Sequence, residues 1–210
     1  MKMPVIKIAV LTVVALAVLG GVVWLAESHI SRTASIGSQV SSSQTVAGVQ
    51  IGGDFTLINQ DGEEMTDRDF LGSYRLVYFG FTYCPMICPT ELQKMVTAME
   101  LMGGKADNIT PLFITIDPER DTPELVKEFV ESFHPRMVGL TGTQEQIDEV
   151  RDAYRVYASK VQVAGMEGYD MNHSSYTFFM GPDGDLLTLF NTGSTPQDIA
   201  REVTAIMDAS

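Results

Sequence analysis

Residues 75–95, RLVYFGFTYCPMICPTELQKM, decide how the chain is read. Leu76 to Phe81 is an unbroken apolar run rich in β-branched and aromatic residues, the pattern of a strand buried on both faces. It gives way to a turn that presents Cys84 and Cys88, the only two cysteines present. Pro89 stands where a first-turn proline is tolerated, and Leu92, Met95, Val96 and Met99 recur at helical spacing, so the second cysteine lies at a helix start. An i, i+4 spacing in a loop that winds into a helix brings two sulfurs to one side. The positive end of the helix dipole there favours thiolate over thiol. Two such thiolates hold a soft metal or close into a disulfide.

Downstream, Gly103 and Gly104 stop the helix, and PLFITID at 111–117 repeats the buried-strand signature. In DPERDTPELVKEFVESFHP, Thr122 is a good N-cap and Pro123 a good first helical residue. Leu125, Phe129 and Phe133, with Val126 and Val130 beside them, mark the apolar face, and Pro135 is the stop. MVGL reads as a third strand. Thr143 or its neighbours open a helix carrying Ile147, Val150 and Tyr154. Upstream, DFTLIN alternates like a strand, QDGEE turns, and TDRDF ends in an apolar contact, which together read as a hairpin ahead of the first core strand.

The last third changes rhythm. Residues 175–180 and 185–191 flank the turn Gly181-Pro182-Asp183-Gly184 as an antiparallel hairpin, and Thr195 and Pro196 start a closing helix to Met207. Alternating strands and helices followed by a hairpin and a helix predict an α/β, thioredoxin-like fold: an N-terminal hairpin and a central mixed sheet flanked by helices. That arrangement places its chemistry in the turn after the first central strand.

The chain has 210 residues, enough for one domain whose core needs no disulfide staples. A net charge of −13 argues against nucleic acid and against an anionic membrane surface as partners. Residues 1–26 are of different composition. Lys2 and Lys7 precede an apolar run, Ile8 to Leu25, long enough to span a bilayer as a helix of roughly 20 residues. Two lysines before it and Glu27 after it place the N-terminus in the cytoplasm and the remainder in the periplasm or its organellar equivalent. The run exceeds the apolar core of about 7–15 residues of a cleaved signal, so an uncleaved anchor is expected. Residues 27–50, rich in Ser, Thr, Gln and Gly, read as a flexible linker, with His29 a solvated residue near the membrane. The domain proper is 51–210.

His173, in GYDMNHSSYTFFM, lies just ahead of the hairpin strand, where a thioredoxin-like fold brings the preceding loop beside the cysteine turn. Two thiolates and one imidazole make a soft, three-coordinate set suited to Cu(I), and the imidazole also admits Cu(II). Zinc usually requires a fourth ligand. His134 is sufficiently explained as a helix C-terminal cap. Of the twelve methionines, Met95, Met99, Met102, Met180 and Met207 fall on apolar faces, leaving Met86 and Met171 as candidate outer contacts to copper. The acidic DPERD stretch, Asp117 to Asp121, combines turn and N-cap duty with a possible orienting or screening role toward the site.

Several separated motifs, VYFGFTYCPMICPTEL, PLFITIDPERDTPE, SFHPRMVGLTG, AYRVYASK and NHSSYTFFMGPDG, resemble the Sco/SenC family of copper-binding cytochrome c oxidase assembly proteins, and the resemblance covers nearly all of 51–210. It implies that Cys84, Cys88 and His173 bind copper. It also implies that the chain helps build the dinuclear copper centre of cytochrome c oxidase, by delivering metal to the copper-site subunit or by reducing that subunit's cysteines, with an upstream copper donor or thiol reductant behind it. The family usually carries an acidic residue where Met86 stands and commonly Asp where Asn172 stands. The softer neighbourhood predicts a bias toward Cu(I). A metallochaperone rather than an enzyme is the first reading. A thiol-disulfide oxidoreductase in which Cys84 and Cys88 cycle is the second, although C-x3-C departs from the C-x-x-C redox spacing and leaves the histidine unexplained. A peroxiredoxin-type peroxidase is third, since no activated single cysteine with Thr and Arg partners is evident.

Overall fold

The apolar run quoted above becomes a seven-residue strand, Tyr74–Gly80, with every residue buried. It extends two residues before Leu76 and takes in Arg75, whose guanidinium reaches the Gly181 carbonyl at 3.1 Å. The computed structural model describes residues 50–163, 165 and 168–210. The expected anchor at 1–26 and the expected linker with His29, Gln50 apart, lie outside the described residues. Among the described residues no helix is long and apolar enough to cross a membrane.

In chain order the elements are β1 (Thr56–Asn59), β2 (Glu64–Thr66), β3 (Tyr74–Gly80), α1 (Ile87–Met102), β4 (Ile109–Thr115), α2 (Pro123–Glu131), β5 (Val138–Thr141), α3 (Gln144–Ala153), β6 (Ala158–Val161), β7 (Asp170–His173), β8 (Tyr176–Met180), β9 (Leu186–Asn191) and α4 (Pro196–Ala209). Seven strands form one mixed sheet in the order β2-β1-β5-β4-β3-β8-β9. The β3–β4 and β4–β5 pairs are parallel, while β1–β2, β1–β5, β3–β8 and β8–β9 are antiparallel. The expected N-terminal hairpin, parallel centre and C-terminal hairpin are all present. The parallel pairs need crossovers, which α1 and α2 supply.

The caps follow the expected chemistry. Thr122, Thr143 and Thr195 are N-caps whose hydroxyls accept from the third residue on, with Pro123 and Pro196 in the first turns. Gly103 ends α1 with φ 58°, the left-handed conformation that glycine adopts without a Cβ clash. The chain then continues as a 3-10 turn, Gly103–Asn108.

Two expectations need correction. On α2 the buried residues are Val126 and Val130, while Leu125 is exposed and Phe129 and Phe133 are only partly buried. The reason lies in the sheet: Gly139 on β5 has no side chain, and the two valines fill that space. The helix also ends at Glu131, ahead of Pro135. Further, β6 and β7 form a separate two-stranded sheet. His173 is the last residue of β7 rather than part of a loop.

Tyr78 on β3, Phe113 on β4 and Gly139 on β5 share one row of the sheet. This face meets α1 through Cys88 and α2 through Val126, Val130 and Phe129. On β3 the neighbouring Phe79 instead packs against Tyr154, just past α3, the rings tilted by 54° with centroids 5.1 Å apart. α1 and α4 pack together. Met95, Met99 and Met180 are fully or nearly buried, and Met102 and Met207 pack against the same core, as expected of core methionines.

Gly139→Ala would set a Cβ 2.9 Å from a Val130 methyl and nearer still to a Val126 methyl. Overpacking of this kind is expected to cost about 1–3 kcal/mol. Urea unfolding should show a lowered midpoint with an unchanged slope, and an unshifted midpoint would mean that α2 rides freely over β5.

Candidate metal centre

Past Gly80 the chain leaves the sheet, and its first polar residue is secured at once. The Thr82 N–H and hydroxyl both donate to the Asp121 carboxylate, at 3.0 and 2.6 Å, and the Thr115 hydroxyl donates to it as well. The Thr141 hydroxyl donates to the backbone carbonyl of Asp121 at 2.7 Å. Asp121 thus gathers the C-terminal ends of β3, β4 and β5. Burial pushes its pKa up, against the pull of those hydroxyl and amide donors. Residues 82–84 then turn back, with the Cys84 N–H donating to the Phe81 carbonyl at 3.2 Å.

Cys84 and Cys88 are both buried and unbridged. The Cys88 N–H donates to Cys84 Sγ at 3.3 Å. α1 has no side-chain cap at Met86. The Cys84 sulfur therefore serves one of the helix's free amides, and the end of the helix favours negative charge on Cys84 rather than on the cysteine inside the helix. The two sulfurs divide one charge. A hydrogen bond from the Cys88 side chain, outweighing the burial that opposes it, takes Cys84 well below the ordinary thiol range. The same bond and deep burial drive Cys88 upward. The pair is asymmetric, with negative charge favoured on Cys84 and the proton on Cys88.

The room for Cys88 comes from Gly80. A Cβ built there would lie 2.9 Å from Cys88 Sγ and 2.9 Å from the Tyr78 ring. The Tyr78 hydroxyl is buried without a hydrogen-bond partner. Burial pushes its pKa far above the usual phenol range, so the hydroxyl stays protonated beside that sulfur.

His173 arrives on β7, 85 positions after Cys88, with Nε2 at 3.7 Å from Cys88 Sγ. Nδ1 lies 2.9 Å from the Ser174 carbonyl. A carbonyl only accepts, so Nδ1 carries the hydrogen and Nε2 faces the sulfur with its lone pair free. The rings of Phe81 and Tyr78 meet the imidazole edge-on at 5.9 and 6.4 Å. All three expected residues therefore meet at one place. Among the described residues, no group of three or more His, Cys, Asp or Glu side chains is already closed to metal-holding geometry. Holding a soft cation here would require Cys88 to lose its proton as well, since only thiolates ligate.

The candidate outer contacts differ in position. Met86 is 67% exposed, whereas Met171 packs against the core from β7. His134 departs from expectation: its Nδ1 accepts from the Arg136 N–H at 3.1 Å, and burial together with the Arg136 charge lowers its pKa. It is a neutral acceptor, not a cation on helix carbonyls. Sequence reasoning missed Thr82, Thr115 and Thr141 as partners of Asp121, and Tyr78 as a lining residue. The available signal was that Thr82 and Thr141 each close an apolar run and Thr115 stands one residue from the end of another.

The model of the SCO1/SenC family matches residues 43–208. The human mitochondrial SCO1 homolog is 37% identical over 191 residues, 90% of this chain and 64% of the human protein, so the chain spans just under two thirds of that relative's length. The solved structure of Arabidopsis thaliana ScoI with copper bound superposes with a TM-score of 0.73 at 35% identity, covering 76% of this chain and 99% of that one. The structure of BsSco, described for a disulfide switch in a member of the Sco family of cytochrome c oxidase assembly proteins, gives a TM-score of 0.60 at 27% identity over 77% of this chain and 94% of that one. The chain belongs to the SCO1/SenC family.

Because the thiolate resides on Cys84, its alkylation should outlast acidification. With the pKa lowered, the reactive form persists at pH values where an ordinary thiol of pKa about 8.5 is protonated. Iodoacetamide at pH 6 should modify Cys84 and spare Cys88, as mapped by peptide mass spectrometry. Equal labelling of both cysteines, or a rate that collapses below pH 8, would refute the asymmetry.

Proposed function

We propose that this SCO1/SenC chain is a copper metallochaperone that holds one copper ion through Cys84, Cys88 and His173. On this reading it passes the ion by ligand exchange to the copper-site subunit of cytochrome c oxidase. The observation that carries the reading is the meeting of a dithiol turn and an imidazole lone pair from opposite ends of the domain. Two thiolates and one imidazole form a donor set that prefers copper among the common soft cations. The copper-bound Arabidopsis relative and the description of BsSco as an assembly protein support the same reading.

The ion is cargo, and the residues around it are arranged for loading and release. Loading requires loss of the Cys88 proton, since both sulfurs must be thiolates to bind. Release requires that an incoming thiolate reach the ion. Tyr83, Met86 and Ile87 surround the cysteines as exposed apolar side chains, a rim on which a recipient could dock while the buried Cys88 stays behind. Met86 and the exposed Asn172 are neutral where the resemblance leads one to expect acids, which favours the monovalent over the divalent ion. In this reading residues 1–26 anchor the domain, residues 27–50 tether it, and 51–210 work on the periplasmic or equivalent side.

A second reading has its own observation. One acidic and one deeply buried thiol is the division of labour of a nucleophilic and a resolving cysteine. As a thiol-disulfide oxidoreductase, Cys84 thiolate would attack a partner disulfide, and Cys88 would then displace the partner's thiol. The chain's two thiols would become a disulfide and the partner's disulfide two thiols.

Titration of the reduced protein with Cu(I) against a chromophoric competitor should give one ion per chain, with binding abolished by Cys84→Ser or Cys88→Ser and weakened by His173→Ala. Binding undiminished by His173→Ala counts against the three-ligand site, and catalytic disulfide reduction that copper merely inhibits favours the oxidoreductase. The anchor has a separate check. The full chain should stay with membranes through an alkaline wash and the chain lacking residues 1–26 should not.

A further inference from the structure

β7 is not part of the main sheet. Its ladder runs only to β6, pairing His173 with Ala158 and Asp170 with Val161. Where the imidazole stands therefore depends on what fixes this two-stranded arm to the body. On the β6 side, Arg151 of α3 donates to the Ala158 carbonyl at 3.1 Å. The Lys160–Glu119 ion pair, 2.6 Å long, is exposed on both partners and contributes little.

The β7 side is held differently. Arg120 Nε pairs with the Asp117 carboxylate, which is 1% exposed. Nη1 donates to the Tyr169 carbonyl at 2.9 Å, one residue before β7 begins. The guanidinium lies 4.0 Å from the Tyr169 ring centroid, 5.0 Å from that of Tyr83 and 5.8 Å from that of Phe81. The Tyr169 hydroxyl completes the cluster by donating to Asp117 at 2.7 Å. Tyr83 adjoins Cys84, and Phe81 meets the His173 ring edge-on. Nη2 is buried with no hydrogen-bond partner, enclosed by these aromatic neighbours.

We propose that Arg120 is a positioning residue that ties the arm carrying His173 to the turn carrying Cys84, setting the imidazole against the sulfurs before any metal arrives. The proposal rests on the copper reading for its purpose, though not for its geometry. A guanidinium suits the task because one rigid fork reaches a carboxylate and a carbonyl while its plane lies on a ring. A lysine ammonium retains the charge and loses that shape.

The test combines Arg120→Met, Arg120→Lys and Tyr169→Leu with two measurements. Tyr169→Leu preserves the Arg120–Asp117 pair and guards against loss of the fold on leaving Asp117 buried alone. In the metal-free protein, hydrogen exchange should quicken in 158–161 and 170–173 while 109–115 stay protected, most in Arg120→Met and least in Arg120→Lys. Cu(I) affinity should fall about tenfold in Arg120→Met and Tyr169→Leu, the scale of outer-shell effects at metal sites, and by less in Arg120→Lys. Neither Arg120→Met nor Tyr169→Leu should weaken binding further in a His173→Ala background. An equal loss in that background, or exchange unchanged in the arm, overturns the proposal. If the wild type binds no copper, the copper reading falls, and the exchange pattern alone still decides whether Arg120 holds the arm.

Discussion

A buried carboxylate with no cation of its own gathers the site end of this domain. Asp121 accepts from Thr82 and Thr115 through its side chain and from Thr141 through its backbone, so the ends of three parallel strands converge on one residue. Each hydrogen bond to a charged group is worth about 1.5–3 kcal/mol, against a desolvation cost that rises steeply with burial. The upward shift of Asp121 says which side prevails locally: the donors soften the penalty without cancelling it. The return on that cost is geometric. Parallel strands end where their crossovers leave, and without a common tie the three loops would settle independently.

The cysteine turn is built on that tie and then sets its own electrostatics. Thr82 fixes where the turn starts, and two residues later Cys84 places its sulfur over the amide of Cys88. A sulfur in that position replaces the side-chain cap that α1 lacks. Capping and chemistry therefore overlap: the contact that starts the helix adds to the hydrogen bond from the Cys88 side chain in making Cys84 the more acidic thiol. Gly80 supplies the third condition, since any side chain there would compete with Cys88 Sγ for the same volume.

The legible parts of the fold were those with local causes. Tyr74–Gly80 and Ile109–Thr115 each hold a continuous apolar run, 76–79 and 111–114, and Thr122, Thr143 and Thr195 are caps followed by periodic helices, so each declares itself within a few residues. The cysteine pair was legible for the same reason. β6 and β7 were not, because ASKV and DMNH are short, half-exposed strands without alternation. The α2 face was misjudged because the space that favours Val126 and Val130 is created by Gly139, on a different element. The DPERD stretch was read as a turn with possible influence on the site. That Asp121 ties down Thr82, 39 residues before it in sequence, has no local pattern at all.

The asymmetry of the sulfurs bears on why one site supports both a metal and a redox reading. The two thiols are pushed in opposite directions, Cys84 down and Cys88 up, so the first proton to leave is that of Cys84. One charge on Cys84 attracts a soft cation without the repulsion of two adjacent thiolates in a buried space. The second charge appears only when something arrives to use it, whether an ion that displaces the Cys88 proton or a mixed disulfide that draws the Cys88 sulfur forward. The imidazole separates the two uses. With Nδ1 committed to the Ser174 carbonyl, its free lone pair faces Cys88. A lone pair so directed adds a third donor to a bound cation. To a disulfide it adds only a proton acceptor, and the helix end already biases the thiol pair toward that chemistry. The histidine's placement is thus better accounted for by a metal than by electron exchange alone.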